Sequence, residues 1–181
     1  MQRLPELVGS PLSLNALRVD VQVSHRAVTG WMAILERLYA TFRLAPFGAP
    51  RIRAVKKEQK HYHFDWSLVH DEGPRFENLV GSHLLKWTHF QFDTAGRELE
   101  LRYFRDVDGR EVDFVVVERR KPVMLVEVKL SAEPAAPSLR YLKVRFPSAE
   151  AYQVHLRGAR ESVTTEDIHL WTAARFLKTL V

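Results

Sequence analysis

Apolar residues recur along the chain at two different spacings, and the spacing changes near residue 71. Upstream, Leu14 and Leu17 follow Ser13, while Val28, Trp31, Leu35 and Leu38 follow Ser24 at three- or four-residue steps. A serine ahead of such a stripe satisfies the free N–H groups of a first helical turn. The pattern therefore predicts a short helix after Ser13 and a longer one after Ser24. Val21-Gln22-Val23 between them reads as a turn, so the pair reads as helix-turn-helix. Thr41 to Phe47 and Lys60 to Phe64 read as the strands of a wing around Gly48-Ala49-Pro50. Downstream, Pro74 is placed to open a helix with the stripe Phe76, Leu79, Val80, Leu84 and Trp87. Glu98 to Phe104 alternates as a strand, and Asp106-Val107-Asp108-Gly109 reads as a turn. Pro137 to Phe146 reads as a helix, Ala151 to Leu156 as a strand, and Ile168 to Leu180 as a strand or a helix. The expected organisation is a winged helix-turn-helix domain over residues 1–70 and an α/β domain over residues 71–181. The second domain has the order helix, three strands, helix, strand around a mixed sheet.

Two nearly unbroken apolar runs lie in the middle of that order, Val112 to Val117 and Val123 to Val128. Asp113, Glu127 and Lys129 are set in or beside them. A strand buried on both faces reads as continuous Val, Ile and Leu, and an unpaired charge there costs several kcal/mol. A water-filled cleft or a bound cation would make these charges tolerable, and either points to a site. Glu118-Arg119-Arg120-Lys121-Pro122 is the polar break between the runs, which predicts an antiparallel hairpin. With residue 118 opposite 122, Asp113 lies opposite Glu127 and Glu111 opposite Lys129, on one face and about 5 Å apart at Cβ. Two carboxylates at that distance repel unless a hard cation lies between them, and an oxygen-only set suits Mg²⁺ or Mn²⁺. A slip of one residue would send Asp113 to the other face and remove the site.

Composition narrows the function classes. The 181 residues contain no cysteine, which excludes disulfides, thiolate zinc sites and cysteine nucleophiles. No stretch approaches the ~20 apolar residues of a membrane span, and the N-terminus lacks a signal-peptide core, so a soluble cytoplasmic protein is expected. Residues 1–70 carry ten Lys and Arg against five Asp and Glu, whereas residues 71–181 carry seventeen of each. The excess lies largely in Arg51, Arg53, Lys56, Lys57 and Lys60, which suggests either a surface facing nucleic acid or a solvated basic loop. His25, Arg26 and Thr29 open the second helix, where a groove-reading helix presents its contacts; such a helix pair also serves as a packing module. His61 and His63 share a strand face but lack a third metal ligand, and are expected to be partly exposed. Trp31, Trp66, Trp87 and Trp171 are expected in the core. Arg102, Arg105 and Arg110 flank the first hairpin, where they could touch phosphate, and are expected on a solvated edge.

The order of elements and the charged residues within it resemble the PD-(D/E)XK superfamily of restriction-endonuclease-like nucleases. In that family a glutamate on the first helix, an acidic residue on the second strand and (D/E)-x-K on the third build a metal site. The matching positions are Glu77 in Phe76-Glu77-Asn78-Leu79-Val80, then Asp113, then Glu127-Val128-Lys129. Residues 12 to 175 are also similar to the C-terminal region of a bacterial and archaeal group of AAA+ ATPases. Leu14-Asn15-Ala16-Leu17, Val23-Ser24-His25, Lys60-His61-Tyr62-His63-Phe64-Asp65 and Glu111-Val112-Asp113-Phe114-Val115 carry that likeness. The chain departs from it in lacking a G-x-x-x-x-G-K-[ST] phosphate loop, in Trp66-Ser67, and in having Glu111-Val112-Asp113 where the nuclease family has Pro-Asp. The first departure implies a C-terminal fragment, or a product whose motor is encoded elsewhere. The resemblance implies that Asp113, Glu127 and the Val128 carbonyl ligate Mg²⁺ or Mn²⁺, with Glu77 completing the shell directly or through water. Lys129 would then orient or deprotonate the attacking water, or neutralise charge on the phosphate. The expectation is a metal-dependent DNA endonuclease steered by its basic winged helix. The alternative is a non-catalytic module that binds nucleic acid or protein on behalf of an ATPase domain or partner.

Overall fold

A computed structural model describes residues 3–48 and 59–180. Helices α1 (Leu14–Asp20) and α2 (His25–Arg37) begin where the serines predict. Ser13 Oγ accepts the N–H of Ala16 and Ser24 Oγ that of Ala27, each at 3.2 Å. The buried stripe of α2 differs from the expected one. Val28 and Met32 are buried against Leu4 and Leu17, while Trp31 and Leu38 are 50% and 69% exposed. Among the described residues the apolar cluster on α2 is completed by α1 and the N-terminal segment, so an i, i+4 pair fills the contact and Trp31 and Leu38 face out. Trp66 is likewise 39% exposed, whereas Trp87 and Trp171 pack against the main core as expected.

Strands β1 (Thr41–Leu44) and β2 (Lys60–His63) pair antiparallel, with Phe42 opposite Tyr62. The hairpin does not stand off as a separate wing. Phe42, Leu44 and Tyr62 belong to the same cluster as Phe114, Val116 and Val126, and Phe47 N–H bonds the Tyr103 carbonyl at 2.6 Å. The free edge of β2 is taken by the N-terminal segment through Gly9 N–H to the His61 carbonyl at 3.2 Å. His61 and His63 are consequently buried, not partly exposed.

Helix α3 (Glu72–Ala95) starts two residues before Pro74, so the proline is its third residue, not its first. The position is tolerated because N–H groups of a first turn have no partner within the helix. Gly96 ends α3 in the left-handed region at φ 64°. The sheet follows as β3 (Leu99–Arg105), β4 (Glu111–Glu118), β5 (Lys121–Ser131), β6 (Glu150–Arg157), β7 (Ser162–Val163) and β8 (Ile168–Thr172), in spatial order β3-β4-β5-β6-β8-β7. Strands β3 to β5 are antiparallel, β5, β6 and β8 are parallel, and β7 is antiparallel to β8. Helix α4 (Pro137–Arg145) is the crossover between β5 and β6, and α5 (Ala173–Lys178) closes the fold, so residues 168–180 hold both a strand and a helix. The fold is thus mixed α/β. The hairpin and α3 cover one face, packing on Phe114, Val116, Met124 and Val126. Helix α4 covers the other through Leu139 and Leu142, packing on Val115, Val117 and Leu125.

Register between β4 and β5 decides where the acids fall. At the turn Glu118 pairs with Lys121, one residue short of the expected 118–122 pairing. Arg119 and Arg120 both take positive φ (48° and 65°), as a tight two-residue hairpin loop demands. An extra residue in β5, Val123, opposite the Val116–Val117 step of β4 then shifts the ladder, so that Phe114 pairs with Val126, the alignment the sequence predicts at the site. A second irregularity, in the β3–β4 ladder, places Arg102 opposite Val115 but Phe104 opposite Val112. Asp113 sits inside that irregularity, next to the end of the β4–β5 ladder.

Candidate functional site

Beyond the Phe114–Val126 pair β4 and β5 part, and polar side chains fill the gap. Asp113 Oδ2 accepts the backbone N–H of Val128 at 2.9 Å, so the carboxylate bridges the two strands. Its other oxygen, Oδ1, lies 3.7 Å from Lys60 Nζ. Glu127 and Lys129 follow Leu125 in the alternation of β5, and Lys129 Nζ meets Glu127 Oε1 at 2.8 Å. Glu127 Oε2 is buried with no hydrogen-bond partner among the described residues. The two acids therefore meet at a strand parting, with Asp113 turned by the irregularity, not as a flat cross-strand pair.

Glu77 comes from the second turn of α3 and reaches the same gap. Its Oε1 accepts the Tyr62 hydroxyl at 2.7 Å and Lys60 Nζ at 3.2 Å. Lys60 Nζ also lies 2.5 Å from Glu111 Oε1 and 5.5 Å from the centre of the Tyr103 ring, and the lysine side chain is 1% exposed. Arg105 approaches Glu111 from the more exposed side at 3.7 Å. The gap thus brings together all four sequence-predicted residues, Glu77, Asp113, Glu127 and Lys129. It adds Lys60 and Tyr62, which the sequence did not point to, and Glu111, expected on this face opposite Lys129 but without a role.

Electrostatics follow from burial and crowding. Burial, then repulsion from Asp113, pushes the Glu127 carboxyl up to about 8 against the pull of Lys129. The same two causes push Glu77 up to about 7, against Lys60 and the Tyr62 hydroxyl. Asp113 is raised by burial, against Lys60 and the Val128 N–H. Burial disfavours the charge on Lys60, but Glu77, Asp113 and Glu111 outweigh it and hold the ammonium above an ordinary lysine. Lys129 is also raised: burial opposes its charge, and the contact with Glu127 overrides it. Four carboxylates face the Lys60 and Lys129 ammonium groups and, from the more exposed side, the Arg105 guanidinium, so full ionisation would leave one uncompensated negative charge in a partly buried gap. That deficit and the orphaned Glu127 oxygen fit one hard divalent cation at Asp113 and Glu127. Among the described residues no three His, Asp and Glu side chains form a metal-holding group, so such an ion would rest on two carboxylates, the Val128 carbonyl and water.

The other candidates sit elsewhere. His25, Arg26 and Thr29 are exposed on the first turns of α2, with the Thr29 hydroxyl donating to the His25 carbonyl at 2.9 Å. Arg51, Arg53, Lys56 and Lys57 lie outside the described residues. Arg102 pairs with Glu100, and Arg110 with Asp106 at 2.7 Å, which leaves both engaged at the hairpin edge. His61 and His63 bring their Nε2 atoms to 3.3 Å; burial pushes His61 down to about 3 and lowers His63 as well. No described helix is long and apolar enough to cross a membrane.

Lys60 was missed because it ends a run of basic residues and reads as one more loop charge. Its signal was positional: it stands two residues before Tyr62, so both share the strand face that meets α3. Asn78 was missed too. Its side-chain amide bonds both the N–H and the carbonyl of His63, at 2.8 and 2.6 Å, and so fixes β2 against α3.

In comparison with protein families, residues 72–176 match the family described as Domain of unknown function (DUF4143), and residues 1–72 match the one described as Domain of unknown function (DUF8612). No curated protein and no solved structure matches the chain.

Proposed function

The chain belongs to the family described as Domain of unknown function (DUF4143), and from the polar gap between β4 and β5 we propose that it is a metal-dependent nuclease of PD-(D/E)XK type acting on DNA. The observation that carries this reading is the buried, unpartnered Glu127 Oε2 beside Asp113, with the Lys129 ammonium 2.8 Å from Glu127 Oε1. Asp113, Glu127 and the Val128 carbonyl would hold Mg²⁺ or Mn²⁺. Such an ion, when bound, lowers the pKa of a water and polarises a phosphoryl oxygen.

The chain's own residues have separate tasks. The Val128 N–H keeps Asp113 in the strand gap, so its position does not depend on the ligand. Glu127 holds Lys129 as an ammonium, which suits it to neutralise charge that develops on a phosphate; deprotonating water would require Glu127 to release it. Lys129 is 32% exposed at its side chain, within reach of a backbone lying along the gap. The exposed start of α2 and the basic stretch would engage the flanking nucleic acid, as an effector end of an AAA+ ATPase.

Incubation of supercoiled plasmid and single-stranded DNA with Mg²⁺ or Mn²⁺ tests the proposal. Cleavage by the wild type that is abolished by EDTA, and lost at least 100-fold in Asp113→Asn and in Lys129→Ala, is the expected result. Undamaged DNA under all these conditions, or cleavage that survives both substitutions, rejects it. A second reading rests on the filling of the acidic gap by Lys60: a non-catalytic module that binds nucleic acid or a protein partner. It predicts a salt-sensitive gel shift without cleavage.

A further inference from the structure

The acidic gap already contains a cation of its own. Lys60 is the first residue of β2, and its ammonium stands among Glu111, Glu77 and Asp113 at 2.5, 3.2 and 3.7 Å. Its position is over-determined. The ladder with β1, the bridge between Pro11 and Lys60, and the Asn78 clamp on His63 all hold the β2 backbone in place. Tyr62, on the same strand face, spends its hydroxyl on the same Glu77 oxygen. Every carboxylate on this side of the gap therefore has a partner, whereas Glu127 Oε2, on the other side, has none.

Two-ion phosphoryl-transfer sites set their metals about 3.5–4 Å apart, bridged by shared carboxylates. Here Asp113 is the shared carboxylate, with one oxygen toward Lys60 and the other on the β5 backbone next to Glu127. A divalent ion on the Lys60 side would have to displace a buried ammonium that cannot leave without unpairing β2 or stranding its charge. Stranding a buried charge costs several kcal/mol.

We propose that the Lys60 ammonium permanently fills the Glu77–Glu111–Asp113 half of the gap, so that the site takes a single divalent ion, on the Asp113–Glu127 side. The N-terminal hairpin is then an integral part of the site, and Glu77 positions Lys60 instead of ligating metal. The single-ion count rests on the proposed function above; the filling of the other half does not.

The test counts Mn²⁺ bound to the full chain by electron paramagnetic resonance and calorimetry, with thermal unfolding alongside. Wild type binds one ion. Lys60→Met, which keeps the apolar stem and removes the charge, gains a further ion and a larger Mn²⁺-induced rise in Tm, while Lys60→Arg stays at the wild-type count. A wild type that binds none, with Lys60→Met binding one, upholds the filled half and sinks the Asp113–Glu127 ion. An unchanged count in a folded Lys60→Met overturns the proposal. So does a Lys60→Met that Mn²⁺ cannot refold, since the ion should take the vacated place. Glu77→Gln supplies a second check with Lys60 intact. Mn²⁺ affinity within threefold of wild type agrees with a lysine-bound Glu77, and a loss of tenfold or more, as for a metal ligand, overturns it.

Discussion

Replacing Asn78 with leucine tests whether the hairpin that delivers Lys60 is held by two hydrogen bonds. Asn78 is fully buried, and its amide takes the place of a strand neighbour for His63, accepting from the N–H at 2.8 Å and donating to the carbonyl at 2.6 Å. Leucine has nearly the same shape but satisfies neither group. A buried donor or acceptor left unpaired costs about 1–3 kcal/mol, so the two together cost about 2–6 kcal/mol. Ser82 Oγ lies 3.4 Å from the same carbonyl and recovers part of that loss. The extra apolar burial of leucine offsets about 1 kcal/mol more. A net destabilisation of about 1–4 kcal/mol remains, which in a domain of this size lowers Tm by about 2–15 °C. Urea unfolding followed by circular dichroism measures it, with an unchanged slope showing that the folded state keeps its compactness. A loss below about 1 kcal/mol would refute the reasoning, because the His63 groups would then be finding other partners. Asn78→Asp adds a second check. It keeps the acceptor but faces the carbonyl with an oxygen, and should be at least as damaging at neutral pH.

Two further expectations concern the same core. A Cβ added at Gly81 of α3 would come within 2.9 Å of the buried Phe114 ring, next to Asp113. Glycine to alanine in a helix ordinarily stabilises by about 1 kcal/mol, but overpacking costs about 1–3 kcal/mol, so Gly81→Ala should lower Tm; a rise would show that the ring has room to move. The raised Glu127 gives a signed pH dependence in metal-free protein: its folded form binds a proton more tightly than the unfolded chain, so stability falls as pH climbs from the ordinary 4.5 through about 8. Between pH 6.5 and 9, where Glu77 also titrates with the same sign, wild type should lose on the order of a few kcal/mol, and Glu127→Gln should reduce the slope without abolishing it; equal slopes in both proteins would contradict the shift.

What the sequence determined by itself is the set of elements and the residues worth watching. Serine caps, apolar periods and the Arg119-Arg120 break are local signals, and they place α1, α2, α4, β4 and β5 close to where they stand. The tertiary structure decided which faces are covered and which charges meet. Trp31 and Trp66 look like core residues in one dimension, yet among the described residues the packing leaves them 50% and 39% exposed. Registry at the site depended on an extra residue in β5 compensating a tighter turn, and the direction of Asp113 on an irregularity against β3. Such offsets arise from the pairing of two strands at once, so no single run encodes them. Lys60 is the clearest case. Its charge was visible among its basic neighbours, but only the docking of the hairpin on α3 places it within 4 Å of acids 17, 51 and 53 positions away in the chain. Contacts of that separation are set by how layers pack, and packing is a property of the whole fold.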